Sequence, residues 1–117
     1  MTPESKRKYE RLIALAKAYC FQATHPVLNL SMGGVAIRTA NDYTEWLDRP
    51  FLLNLSFSAN ETCPEGLDLS LMAMARHSYF DTEHHYYIVG IEFINMTQET
   101  KASLASFIQF ISKGDTL

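Results

Sequence analysis

The sequence contains few of the residues that mark secreted or membrane proteins. Among its 117 residues are two cysteines, four prolines, five glycines and one tryptophan. Two cysteines, Cys20 and Cys63, are too few for a disulfide framework, so we expect free thiols in a reducing compartment. No apolar run approaches the ~18 residues of a membrane span, and the charged first residues lack the apolar core of a secretory signal. The sequence therefore predicts a cytoplasmic protein without a membrane span.

Sequence motifs of catalysis are also missing, since there is neither a Gly-x-Ser-x-Gly nucleophile turn nor a phosphate-binding loop. Metal-ligating residue types do occur close together, at His77, Asp81, Glu83, His84 and His85. Their spacing is not the H-x-x-x-H pattern of a helical metal site, no distal pair of ligands is evident, and loop histidines are usually solvated. We therefore expect no catalytic residue, no metal and no cofactor, and we predict that the protein is not an enzyme.

Charge is unevenly distributed along the chain. The formal net charge is −3, but residues 1–17 carry +3 and the other hundred carry −6. A short basic segment on an acidic body lacks the broad basic face of nucleic-acid-binding proteins, so we expect no nucleic-acid partner. The segment suits a local site for a compact anion, although a solvated charged segment would have the same composition.

Alternating apolar and polar residues predict β-strands over much of the chain. Residues 51–58 alternate most regularly and should direct one set of side chains inward: Phe51, Leu53, Leu55 and Phe57. Residues 67–76 predict another strand, which carries Met72 and Met74 on its second face. Because both faces of that strand are apolar, we expect it to be covered on both sides at its end.

The last third of the chain predicts a hairpin followed by a helix. The polar stretch Asp81–His85 is typical of a hairpin loop and precedes a predicted strand at residues 86–94. Thr97 can cap a helix over about residues 97–113, with Glu99 in its first turn. An apolar stripe would pack this helix onto the strands: Leu104, Phe107, Ile108 and Ile111.

Two glycines stand side by side after two short polar residues in the run Asn29-Leu30-Ser31-Met32-Gly33-Gly34. In an extended segment Asn29 and Ser31 would point the same way, because they are two residues apart. The glycine pair permits a positive φ or the close approach of another group. We call this exposed polar feature the ledge; it consists of Asn29, Ser31, Gly33 and Gly34.

Two arginines in the basic segment, Arg7 and Arg11, are four residues apart and would be natural partners for an anion on the ledge. Together with the ledge they resemble the two-part signature of the PilZ domain, RxxxR followed by (D/N)xSxxG. The matching residues are Arg7, Arg11, Asn29, Ser31 and Gly34. Residues 87–99 are similar to the last strand of that family and to the start of its closing helix. The resemblance spans roughly residues 6–112.

The resemblance implies a mainly β fold, namely a six-stranded antiparallel PilZ-type split barrel with a C-terminal α-helix packed on it. It also implies a bacterial receptor for cyclic di-GMP, with a flexible basic arm at residues 1–11 and a barrel domain at residues 12–117. The implied ligand-binding residues are Arg7, Arg11, Asn29, Ser31, Gly33, Gly34 and Lys6. A downstream protein partner in motility, adhesion or exopolysaccharide output is implied as well. The alternative is a PilZ-like adaptor that does not bind the nucleotide.

Residues 2–20 allow two interpretations. Thr2-Pro3-Glu4 is typical of a helix start, and a helical stripe follows it: Tyr9, Leu12, Ile13, Ala16, Tyr19 and Cys20. The family pattern instead implies an arm up to about Arg11 and then a strand. That strand is supported by an alternating set: Ile13, Leu15, Tyr19 and Phe21. We adopt the strand and keep one continuous helix as the alternative.

The single tryptophan, Trp46, lies in the long segment between two predicted strands, at residues 40–50. An aromatic residue in such a loop more often covers one end of a barrel than contacts a ligand. We therefore expect Trp46 to act as a lid, with a partner-facing role as the alternative.

Overall fold

Six antiparallel strands form a closed barrel, in the order β1-β2-β3-β6-β5-β4 around its axis. The structure is a computed structural model that describes residues 16–57 and 67–113. Its elements are β1 (Ala16–Cys20), β2 (Ala23–Leu30), β3 (Gly34–Thr39), a 3-10 turn (Thr44–Trp46), β4 (Pro50–Phe57), β5 (Leu67–Asp81), β6 (Tyr86–Phe93) and helix α1 (Gln98–Lys113). The predicted mainly β barrel with a helix after its last strand is confirmed. Within the described ranges no helix is long and apolar enough to cross a membrane.

Helix α1 closes one end of the barrel, which we call the helix end. Leu104 and Phe107 belong to the buried core, and the ring of Phe107 meets that of Phe57, the last residue of β4, edge to face at 6.3 Å. The backbone N–H of Thr100 donates to Thr97 Oγ1 at 3.1 Å, so the predicted cap is confirmed. Ile108 packs against the core as predicted; the side chain of Ile111 lies outside the described residues.

The alternation predicted for β4 is confirmed. Leu53, Leu55 and Phe57 are buried, and Phe51 is partly buried against the same core. The cover predicted for the second face of β5 is wrong at Met72, which remains 38% exposed. The apolar side chains Leu104 and Phe107 of α1 are instead buried in the core at the barrel end.

Strand β1 exists as predicted, but the alternating apolar set that supports it does not mark its buried face at Tyr19. Ala16, Ala18 and Cys20 point into the core, whereas Tyr19 is 53% exposed on the outside. Where opposite walls of a small barrel come close together, the interior has room only for small side chains. The buried face of β1 is therefore the face with small residues and not the one with larger apolar residues. The alternative of one helix over residues 2–20 is wrong for residues 16–20. The arm predicted at residues 1–11 lies outside the described residues.

The thiol of Cys20 is part of this core. Burial raises its pKa to about 12, so the group stays neutral and unreactive. The structure shows it as a free cysteine, as expected. Cys63 lies outside the described residues.

Aromatic side chains close the opposite end of the barrel, which we call the aromatic end. Strands β1 and β2 join through Phe21 and Gln22, whose φ angles of 53° and 64° define a tight hairpin turn. The ring of Phe21 stacks on Tyr43 at 4.5 Å and lies 5.2 Å from Trp46. A bulky residue in this backbone conformation is unfavourable by itself, and the ring contacts offset that cost. Trp46 therefore packs over one barrel end, in agreement with the predicted lid.

The loop between β3 and β4 covers an edge that β4 leaves open. The pairing of β4 with β5 begins at Met74, although β5 continues to Asp81. Along this extra length the N–H of Asp48 donates to the carbonyl of Ala75 at 2.9 Å, and the hydroxyl of Ser78 donates to Asp42 at 3.0 Å. The loop thus satisfies part of an otherwise exposed strand edge.

Candidate functional site

The ledge lies at the turn between β2 and β3, on the helix end of the barrel. Asn29 is exposed and pairs with Ala36 across the two strands, directly after a bulge in β2. The N–H of Ser31 donates to the carbonyl of Gly34 at 2.9 Å. The hydroxyl of Ser31 accepts from the N–H of Gly33 at 3.3 Å and donates to the Gly34 carbonyl at 3.4 Å. Ser31 therefore shapes the turn while its hydroxyl remains exposed.

The two glycines of the ledge have different roles. A Cβ on Gly34 would collide with the backbone carbonyl of Ile91 on β6, whereas at Gly33 the nearest group is Ser31 Oγ at 4.0 Å. Neither glycine has a φ in the left-handed region, so the predicted positive φ does not apply. The predicted close approach of another group applies at Gly34 alone of the two. The N–H of Phe93 donates to the carbonyl of Gly33 at 3.0 Å, which ties the turn to β6.

The outer face beside the ledge carries small side chains. Ala36 and Gly34 alternate on the outside of β3, and Gly90 lies opposite Ala36 on β6. The imidazole of His77 on β5 lies over Gly90, where it occupies the space that a Cβ would need. The result is a low strip along β3, bordered by Asn29 and the turn and, on the β6 side, by the His77 ring.

Further along the same outer face, towards the aromatic end, there is a cleft of about 360 Å³. Its lining residues are Thr24, His25, Pro26, Arg38, Thr39, Ala40, His85 and Tyr86. The guanidinium carbon of Arg38 lies 5.5 Å from the centre of the Tyr86 ring, a cation–π distance. His25 is buried at the cleft, and Nε2 of its ring lies 3.2 Å from the carbonyl of Cys20. Burial lowers the pKa of His25, and the hydrogen bond to Cys20 opposes that shift.

The predicted hairpin loop between β5 and β6 is confirmed, and Asp81 organises it. Asp81 Oδ1 accepts from the N–H groups of Glu83 at 2.9 Å and His84 at 3.2 Å. Its second oxygen lies 3.0 Å from Nδ1 of His84, and this contact raises the pKa of His84. Ligand-type atoms of Asp81, Glu83 and His84 lie within 4.8 Å of one another. The absence of a bound metal stays a prediction.

The structure brings four of the predicted site residues together and leaves the others untested. Asn29, Ser31, Gly33 and Gly34 share one turn. Arg7, Arg11 and Lys6 lie outside the described residues, so their approach to the ledge stays a prediction.

Sequence reasoning missed the pair of Arg38 and Tyr86. A count along β3 could have found Arg38, because it follows Gly34 and Ala36 on the same alternating face. Nothing local in the sequence pairs it with Tyr86, which belongs to another strand.

Comparison with known proteins shows the fold. No protein-family model matches the sequence, and no curated protein matches it. Solved structures do match, among them three with a TM-score above 0.5. The inhibitor of motility MotI/DgrA of Bacillus subtilis has a TM-score of 0.58 and 15% identity, over 80% of this chain and 44% of that one. The PilZ domain of YcgR from Escherichia coli, solved with c-di-GMP, has a TM-score of 0.54 and 13% identity, over 84% of this chain and 80% of that one.

The third structure is MrkH, described as a c-di-GMP-dependent transcription regulatory factor. It has a TM-score of 0.53 and 11% identity, over 80% of this chain and 43% of that one. The present chain thus spans less than half the length of MotI/DgrA and of MrkH. The barrel, its strand order and these likenesses together define a PilZ-type fold.

Proposed function

We propose that this protein binds cyclic di-GMP on the outer face of β2 and β3, and that Arg7 and Arg11, with Lys6 adding charge, close over the ligand. The observation that carries the proposal is the position of Asn29 and Ser31. A PilZ-type fold exposes both side chains at the end of β2. Two of the matching solved proteins are described as a c-di-GMP complex and as a c-di-GMP-dependent factor.

The two arginines are within reach of the ledge. Lys17 on β1 pairs with Pro26 on β2, three residues before Asn29. With a strand spacing of about 4.8 Å and a rise of about 3.3 Å per residue, Asn29 is roughly 11 Å from Lys17. Arg11 lies six positions before Lys17 in the chain, a stretch that can span about 20 Å. Chain length therefore permits Arg11, and also Arg7, to reach the ledge.

Strand β2 extends beyond its described pairing with β1, towards the ledge. Pairing of β1 with β2 begins at Lys17 and Pro26, whereas β2 continues to Leu30. Beyond Pro26 the described partner of β2 is β3. Strand β1 begins beside β2 on the side of the barrel where the ledge lies, which favours a closing segment from the residues before it.

The chemistry of the ligand matches these side chains. Cyclic di-GMP offers two phosphates and two guanine bases, and a guanidinium group can bind either one through two parallel N–H donors. Asn29 supplies a donor and an acceptor to a base edge, and Ser31 supplies a hydroxyl. Each charge-assisted hydrogen bond contributes about 1.5–3 kcal/mol, which can offset an ordering cost of about 1–2 kcal/mol per residue fixed.

Binding would become a signal because closure changes the surface that a downstream protein contacts. In this proposal the protein is an effector and not an enzyme, it acts in the cytoplasm, and its partner is a protein and not a nucleic acid. The alternative is an adaptor with the same fold that does not bind the nucleotide.

Isothermal titration calorimetry with cyclic di-GMP and the full chain tests the proposal. The wild-type protein should bind, Arg11→Ala and Asn29→Ala should each weaken binding about tenfold or more, and raised salt should weaken it further. Arg49→Ala removes an exposed positive charge just before β4, on the far side of the barrel from β3, and is the matched control. Absence of binding by the wild type at high micromolar ligand would favour the adaptor.

A further inference from the structure

Arg38, which lines the cleft, has no acidic partner among the residues that the structure describes. Among the described residues, no carboxylate lies within salt-bridge distance of Arg38, whereas Arg76 contacts both Asp48 at 2.7 Å and Glu92 at 2.9 Å. Arg38 is exposed and lies against the ring of Tyr86. Arg38 therefore presents an exposed guanidinium group to the cleft, at a cation–π distance from an aromatic ring.

The walls of the cleft suit a planar base better than a simple anion. Tyr86 has the Arg38 guanidinium on its ring and stacks with the imidazole of His84 at 5.4 Å and 16°. Thr24 and His85 add polar groups at the rim. An aromatic ring and a guanidinium plane are the groups on which a nucleobase stacks, and the N–H pair of an arginine matches O6 and N7 of guanine.

The cleft and the ledge lie on one continuous surface. Gly34, Ala36 and Arg38 alternate on the outer face of β3, and Arg38 is level with Ile88 on β6. Four residues along a strand correspond to about 13 Å. Between the two ends β3 carries only the small side chain of Ala36 on this face, while the imidazole of His77 covers Gly90 on the neighbouring strand β6.

We infer that Arg38 and Tyr86 form the second half of the ligand site, where Arg38 binds the edge of one guanine of a cyclic dinucleotide and the Tyr86 ring positions the guanidinium. This inference rests on the proposed function, and it names the residues that select guanine. The ledge and the upstream arginines hold the phosphates and one base, while the cleft takes the other base. Selectivity for guanine over adenine arises in the cleft, because adenine presents a donor at its N6 position where guanine presents the O6 acceptor.

Calorimetry with two ligands, cyclic di-GMP and cyclic di-AMP, tests this inference. Arg38→Ala should weaken cyclic di-GMP binding by about tenfold or more and should reduce the preference over cyclic di-AMP. The affinity of Arg38→Lys for cyclic di-GMP should fall nearly as far, because a lysine keeps the charge but not the paired donors. Tyr86→Leu, which removes the ring that positions Arg38, should weaken cyclic di-GMP binding and reduce the preference over cyclic di-AMP, and Tyr86→Phe, which keeps the ring, should bind like the wild type. Thermal melting checks that every variant is folded, and Arg49→Ala is the charge control.

The outcomes separate this inference from the proposed function. Wild-type affinity in Arg38→Ala, together with a loss in Arg11→Ala, would overturn the role of the cleft and leave the ledge site standing. An equal loss for both ligands in Arg38→Ala would overturn the guanine-reading role. No binding by the wild type would overturn both proposals. If Arg38→Ala does not fold, Arg38→Gln, which keeps a long polar side chain, takes its place in the same comparison.

Discussion

Gly34 on β3 and Ile91 on β6 approach so closely that no side chain fits between them. The contact is between the glycine and the backbone carbonyl of Ile91, at the point where the ledge meets the last strand. This glycine therefore has a structural reason to be present that is independent of any ligand. Its neighbour Gly33 has open space instead.

Gly34→Ala should destabilise the fold by at least about 2 kcal/mol, since the added Cβ meets a backbone that cannot move away without separating two strands. Gly90→Ala is the matched comparison, because its Cβ would meet the end of the His77 side chain. That ring can rotate outward, so the loss at Gly90 should be clearly smaller. Urea unfolding of both variants measures the difference, and equal losses would contradict the assignment.

Thr97→Ala should cost about 1 kcal/mol, because it removes the oxygen that accepts the backbone N–H of Thr100 at 3.1 Å. Thr97→Ser keeps the oxygen and should retain most of the stability. Chemical denaturation of the two variants beside the wild type gives the answer. A loss in Thr97→Ser as large as that in Thr97→Ala would show that the methyl group, not the cap, is responsible.

Stability should fall as the pH drops below the ordinary His pKa of about 6.5, because His25 is buried and its pKa in the folded state is lowered. In that range His25 binds a proton in the unfolded chain but stays neutral in the folded protein. The contribution is fully present above about pH 6.5 and decreases by at most about 1.4 kcal/mol per pH unit on acidification, until the folded pKa is reached.

His25→Gln provides the comparison for this effect, because glutamine has a hydrogen-bond donor for the Cys20 carbonyl but does not titrate. Its stability between about pH 5 and 6.5 should change less steeply than that of the wild type. His84 acts in the opposite direction, since its pKa is raised and its contribution grows on acidification. The difference between wild type and variant removes this second contribution, and identical slopes would contradict the role of His25.

Asp81→Asn should lower the pKa of His84 towards its ordinary value, because the carboxylate charge that raises it is removed. The asparagine carbonyl can still accept from the N–H groups of Glu83 and His84, so the hairpin should keep its shape. Asp81→Ala should lose both the raised pKa of His84 and the shape of the hairpin. An NMR titration of the His84 imidazole measures the change, and an unaltered midpoint in Asp81→Asn would exclude Asp81 as its source.

Arg7→Lys should weaken cyclic di-GMP binding markedly although it preserves the charge. The reason is that an ammonium group cannot present two parallel donors to a phosphate or to a guanine edge. Calorimetry on the variant and the wild type at the same salt concentration makes the comparison. Equal affinities would show that Arg7 contributes charge alone.

The strands that are regular in sequence were predictable. Residues 51–57 alternate because one face of β4 lines the core, and Thr97 marks the helix start through a local cap. The ledge was recognisable for a similar reason: its short polar residues and glycines are neighbours in the chain. Local patterns of this kind reflect local geometry.

Other features gave no local signal. The turn at Phe21 and Gln22 lacks the glycine or asparagine that usually marks positive φ, and it is held by rings from the distant loop that contains Tyr43. The buried face of β1 carries Ala16 and Ala18 and not the larger Tyr19, because the width of the barrel decides which side chains fit inside. Long-range packing decided both.

By itself, the sequence determined the strand-rich character of this protein, its capped last helix and the ledge at Asn29 and Ser31, because each depends on residues a few positions apart. The tertiary structure decided which face of β1 is buried, why Gly34 must be a glycine, and that Arg38 lies on Tyr86. Those relationships join strands that are far apart in the chain, and the closure of the barrel brings them together.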